Sequence, residues 1–161
     1  MNANRVARCG AAVVLLVALS AFADATAPAP SLNAANGRIL TAKQARACLG
    51  GREQYGTPSA SAVLRLEASL SRALAELAGR DKNSYVRHSA ADVLKRMATD
   101  VRFYIATADG FIQVRGYCAD FPEPAPRACP PLVEDGGSCI WLFRFDTKRG
   151  TFDRFGTNGE G

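Results

Sequence analysis

Histidine is nearly absent from this chain, and the shortage closes several classes of chemistry at once. His88 is the single imidazole among 161 residues. One histidine alone does not argue a Ser-His-Asp set, and no serine stands in a nucleophile elbow. It lies in a helical pattern beside Val86 and Arg87, where a solvated or half-buried structural role is the ordinary outcome. HExxH, phosphate-loop and dinucleotide glycine patterns are missing. The glycine-rich run from Gly156 to Gly161 opens no helix and reads as a frayed tail. No cofactor is therefore expected. Cys-x-x-Cys is also absent, which removes the redox motif and the short-spaced pairs of a zinc site. No metal ligands are assigned.

Long apolar runs are lacking too. The longest, Ala11 to Ala23, has 13 residues, against the roughly 20 that a membrane-spanning helix needs. Arg5 and Arg8 precede it, and Ala21-Phe22-Ala23 supplies a small-x-small cleavage pattern, with Ala23-Asp24-Ala25 as a second frame. Basic flank, charge-free core and cleavage site in that order describe a secretory signal over residues 1–23. No membrane span is expected after its removal. The destination is periplasmic or secreted, and 16 Arg against 4 Lys suggests a GC-rich bacterial genome and hence a periplasm.

Charge is balanced beyond the leader. Residues 24–100 carry 11 basic and 7 acidic groups, and residues 101–161 carry 7 and 8. Neither half demands a polyanion, so nucleic acid is not an expected partner. Forty-eight per cent apolar and 22 per cent charged residues suit one globular domain.

Removal of Cys9 with the leader leaves Cys48, Cys118, Cys129 and Cys139. Four cysteines in an oxidising compartment read as two disulfides with three possible pairings. Parity adds a result common to all three. One C-terminal cysteine must bond Cys48 across about 70 to 90 residues, which ties the two halves of the chain together.

Residues 24–40 are rich in Ala, Pro, Ser and Asn and read as a flexible mature N-terminus. A single domain over 41–161 follows. Thr41-Ala42-Lys43-Gln44 matches a capping box and starts a short helix over 42–49, stopped by Gly50-Gly51. Thr57-Pro58 opens a helix over 58–79, with Thr57 as the cap. Val63, Leu66, Leu70, Leu74 and Leu77 form its apolar stripe. Ser84 is the expected cap of a third helix over 84–100. The stretch from Leu77 to Leu94 resembles one HEAT repeat. It occurs once, and a lone repeat cannot bury its own face, so an antiparallel helix pair is expected rather than a solenoid.

Beyond residue 100 the apolar period changes from 3.6 to 2, predicting strands over 101–107, 111–118, 138–146 and 151–156. Asp109-Gly110 supplies the first turn. The resulting class is α+β, with a short helix and a helix pair packed on one face of a four-stranded antiparallel meander. Cystatin-like and NTF2-like folds share this order of elements with others, so it singles out no family.

The 18-residue connection over 119–136 carries most of the unassigned chemistry. It holds five prolines, the carboxylates Asp120, Glu123, Glu134 and Asp135, and one base, Arg127. Cysteines bracket it and one lies inside it. Loops of this length are functional or passive connectors, and staples reduce the freedom lost on binding. These features point to an exported, non-enzymatic binding protein, an inhibitor or immunity protein for a cell-envelope enzyme. Asp120, Glu123, Arg127, Glu134 and Asp135 are the expected partner-binding residues. The alternatives are a small envelope hydrolase using the loop carboxylates and a structural accessory subunit docking through its helix pair.

Overall fold

The computed structural model describes residues 36–121, 128–132 and 135–158. The leader expected over 1–23 lies outside them, as do the loop residues Glu123, Arg127 and Glu134. In chain order the elements are β1 (Gly37–Ile39), α1 (Ala42–Leu49), β2 (Tyr55–Gly56), α2 (Ala60–Arg80), α3 (Ser84–Arg96), β3 (Val101–Thr107), β4 (Phe111–Tyr117), β5 (Gly137–Asp146) and β6 (Thr151–Asn158).

Local chemistry sets the helix starts. At α1 the Thr41 hydroxyl accepts from the Gln44 amide at 3.3 Å, and Gln44 Oε1 accepts in return from the Thr41 amide at 2.9 Å, a complete capping box. The α2 start differs from the expected one. Ser59 is the cap, accepting from the Ala62 amide at 3.2 Å. Thr57 is engaged elsewhere, its hydroxyl accepting from the Ala42 amide at 3.1 Å. At α3 the cap is Asn83 rather than Ser84, with Oδ1 accepting from the Tyr85 amide. That helix also stops early. The Thr99 hydroxyl and the Thr99 and Asp100 amides all turn back to the Arg96 carbonyl.

The sheet is mixed and six-stranded, which corrects the four-stranded antiparallel meander. Strands β3 to β6 do pair antiparallel in chain order, but β1 adds to β3 in parallel and β2 adds to it antiparallel. Gly37–Ile39 pair with Arg102–Tyr104, while Tyr55 and Gly56 pair with Thr107 and Ala106. The two short strands thus lie end to end along one side of β3. Gly37–Ile39 fall inside the segment expected to be flexible. The nearby Leu40 side chain is buried and its amide donates to the Tyr104 carbonyl at 3.0 Å, so this stretch is held by the sheet.

Helices cover both faces rather than one. Val63, Leu66, Leu70 and Leu74 of α2, with Ala90 and Val93 of α3, pack on Tyr104, Ile112, Val114, Trp141, Phe143 and Phe145. Burial of such aliphatic side chains stabilises by roughly 1.5–3 kcal/mol apiece. Strand alternation sends Phe103, Ile105, Tyr117 and Ile140 to the other face, where Leu40 and Ala45 meet them. Gly116 lies opposite Trp141 in the ladder. A Cβ there would fall on the indole ring, so glycine is what lets this large side chain lie flat across β4.

A buried polar network secures the start of β3 beneath the helix pair. Trp141 Nε1 donates to the fully buried Asp100 at 2.9 Å, and Arg96 Nε lies 3.4 Å from the same carboxylate. Tyr104 donates to Glu67 at 2.7 Å, and Arg102 Nε lies 3.2 Å from both Glu67 and the Tyr104 hydroxyl. Arg102 also donates to the Met97 and Asp100 carbonyls. Burial raises the Asp100 carboxyl above its ordinary range against the pull of Trp141, Arg96 and Arg102. The Tyr104 phenol is likewise pushed up, first by burial and then by Glu67. Among the described residues no helix is long and apolar enough to cross a membrane.

Candidate functional site

Both disulfides converge on the connection between β4 and β5. Cys118–Cys139 closes its base, where the Cys118 amide also donates to the Cys139 carbonyl at 3.0 Å. Cys48, in the last turn of α1, bonds Cys129 within the connection across a sequence separation of 81. This is one of the three pairings open to the sequence, and it satisfies the parity requirement on Cys48. Two staples therefore hold the segment, one at its root and one partway along.

Of the five residues expected to bind a partner, Asp120 and Asp135 are described, and both are exposed. Each stands within four residues of the Cys118–Cys139 bond. Glu123, Arg127 and Glu134 lie outside the described residues. The Asp120 carboxylate comes within 4.8 Å of the Cys118 and Cys139 sulfurs. Those sulfurs are bonded to each other, so the group offers one carboxylate and no thiolate to a metal. Sequence reasoning missed Leu132. Its side chain is 65% exposed, the most exposed large apolar residue of the described chain, while Pro130, two residues earlier, is buried. The signal was present as the Leu132-Val133 pair in a proline-rich acidic segment. The His88 side chain is exposed on α3 and, among the described residues, makes no hydrogen bond or ion pair.

Several concavities lie elsewhere among the described residues. A cleft of about 640 Å³ runs between α2 and β6. Phe143, Phe152 and Phe155 form its floor, with ring centroids 4.4 and 5.4 Å from Phe143. The second, about 330 Å³, opens on the sheet face that α1 covers only in part. There the ladder sets Gln113, Arg144 and Arg154 side by side across β4, β5 and β6. Glu53 and Gln54 precede β2 on one wall, Asp109 comes from the β3–β4 turn, and Leu142 is the apolar part of the lining.

Electrostatics there are tightly compensated. Arg144 forks onto Asp153 with bonds of 2.8 and 2.6 Å, approaches Asp109 at 3.8 Å and stacks 4.1 Å above the Phe111 ring. The Asp153 bond raises the Arg144 guanidinium and, reciprocally, holds the Asp153 carboxyl below its ordinary range. Burial lowers Arg115 on the same face, partly offset by Tyr55 and Glu53. Burial, then Glu53, raises Tyr55.

Comparison with known proteins returns no matching family model, no matching curated protein and no matching solved structure.

Proposed function

We propose that this protein is an exported, non-enzymatic binding protein of the bacterial periplasm. In this reading it is an inhibitor or immunity protein that engages a cell-envelope enzyme through the 119–136 connection. The carrying observation is that both disulfides secure that one segment while Leu132, Asp120 and Asp135 remain exposed on it. A segment ordered in advance loses less conformational freedom on binding. Leu132 offers an apolar anchor of the kind that fills a pocket on a partner. The carboxylates of Asp120 and Asp135 on the same segment steer a cationic surface toward it. Two disulfides suit an oxidising compartment, in keeping with the leader read over residues 1–23.

The test begins with affinity capture of a partner from the native envelope. Association is then followed for Leu132→Ala and for the combined change of Asp120, Asp135, Glu123 and Glu134 to their amides. The charge variant should associate several-fold more slowly with a flatter salt dependence, and Leu132→Ala should dissociate faster. Melting temperatures should stay at the wild-type value. Wild-type rates in both variants would reduce the segment to a connector.

A further inference from the structure

We infer that the concavity on the open half of the sheet face is a binding site for a neutral saccharide of one or two rings. It lies on a different part of the molecule's chemistry from the stapled connection and does not depend on the role proposed for that segment.

The first reason is the kind of side chain present. Glu53, Gln54, Asp109, Gln113, Arg144 and Arg154 line one small concavity. All six end in planar carboxylate, amide or guanidinium groups. Such groups present paired donors or acceptors in a fixed fork, and the matching partner is a pair of adjacent hydroxyls. Leu142 in the same lining offers an apolar patch for the C–H face of a sugar ring.

The second reason is charge. On this face Glu53, Asp109 and Asp153 stand against Arg115, Arg144 and Arg154, so the charges around the concavity sum to zero. Arg144 is already occupied by Asp153 and by the Phe111 ring. An anion would meet Glu53 and Asp109, and a cation would meet the guanidiniums of Arg144 and Arg154. A polar but uncharged ligand faces neither repulsion.

The third reason is an incomplete hydrogen-bond inventory. Gln113 lines the concavity, and its Oε1 is buried with no hydrogen-bond partner among the described residues. Buried polar atoms in that condition are uncommon and costly. A ligand hydroxyl supplies the donor that this amide oxygen lacks. A volume of about 330 Å³ lies at the small end of ligand clefts, which limits the occupant to one or two rings.

The experiment is a titration of the 15N-labelled protein with maltose, cellobiose and N,N′-diacetylchitobiose. Glucuronate and glucosamine serve as the charged controls. At least one neutral disaccharide should give saturable shifts confined to β4, β5, β6, the β3–β4 turn and the 53–54 segment, and the controls should not. Gln113→Leu should weaken that binding at least tenfold with an unchanged melting temperature. Arg154→Ala, at an exposed position, provides the second variant should Gln113→Leu fail to fold. The inference is overturned if no neutral disaccharide binds more tightly than on the order of 10 mM. Water alone would then complete the Gln113 amide oxygen. Preferential binding of a charged control, shifts centred elsewhere, or full affinity in a folded variant would overturn it equally.

Discussion

Removing the Cys48–Cys129 bond should be the most damaging paired substitution at the cysteines. The bond closes a loop with a sequence separation of 81, and for that length the chain-entropy relation gives about 4.5 kcal/mol. Cys118–Cys139 closes only 21, worth about 3.3 kcal/mol on the same relation. Net stabilities of domains run to roughly 5–15 kcal/mol, so the larger loss leaves a marginal fold. The perturbation is the double variant Cys48→Ala/Cys129→Ala, with Cys118→Ala/Cys139→Ala as its companion. Urea unfolding followed by the emission of Trp141 reads both, because this sole tryptophan is buried against Asp100. The first variant should show the lower midpoint, and a slightly steeper dependence on urea as the uncrosslinked unfolded chain expands. A loss below about 1 kcal/mol, or the opposite rank of the two variants, would refute an entropic role for the long closure.

Gly116→Ala should cost about 1–3 kcal/mol and alter the near-ultraviolet circular dichroism, because the new methyl lands on the Trp141 ring. Unchanged dichroism and stability would show that the indole does not need that space. Asp100→Ala should cost about 3–5 kcal/mol by leaving Arg96 and the Trp141 N–H without their buried partner. Asp100→Asn should cost clearly less, since it keeps an acceptor and burial already opposes the charged carboxyl. Equal losses in urea unfolding would contradict this. Asp153→Asn should lower the melting temperature at neutral pH. The native Asp153 carboxyl is held below its usual 3.8 by Arg144, so the native state binds fewer protons than the unfolded one. Its contribution is present above that value and lost as pH falls through the depressed native one. Melting curves of variant and wild type should therefore converge on acidification, and a constant gap would refute the linkage.

Local signals were the legible part of this fold. The Thr41–Gln44 capping box and the stripe from Val63 to Leu74 are read from neighbours a turn or so apart. The strands beyond residue 100 follow from alternation. Short non-local pieces were not legible. Gly37–Ile39 and Tyr55–Gly56 span three and two residues, too few for any period, and their partner in both cases is β3. Thr57 illustrates a second limit. It has the chemistry of a cap, and a contact 15 residues away decides otherwise. The same holds for chemistry. The stapled connection is continuous in sequence and was found there, whereas the saccharide concavity is assembled from five separated segments. Its trace was nonetheless present: Gln113, Arg115 and Arg144 alternate with apolar residues in β4 and β5. Polar side chains on one side of such strands mark a face left partly uncovered.

The order of the cysteines along the chain bears on how the molecule is made. The chain presents them as 48, 118, 129 and 139, yet the bonds join first to third and second to fourth. Each bond therefore spans one cysteine of the other. If oxidation follows emergence from a translocation pore, Cys48 meets Cys118 before Cys129 exists on the same side. The earliest available bond is then a wrong one. A cell producing this protein by that route must either delay oxidation until the sheet has assembled or supply an isomerase to exchange Cys118 for Cys129.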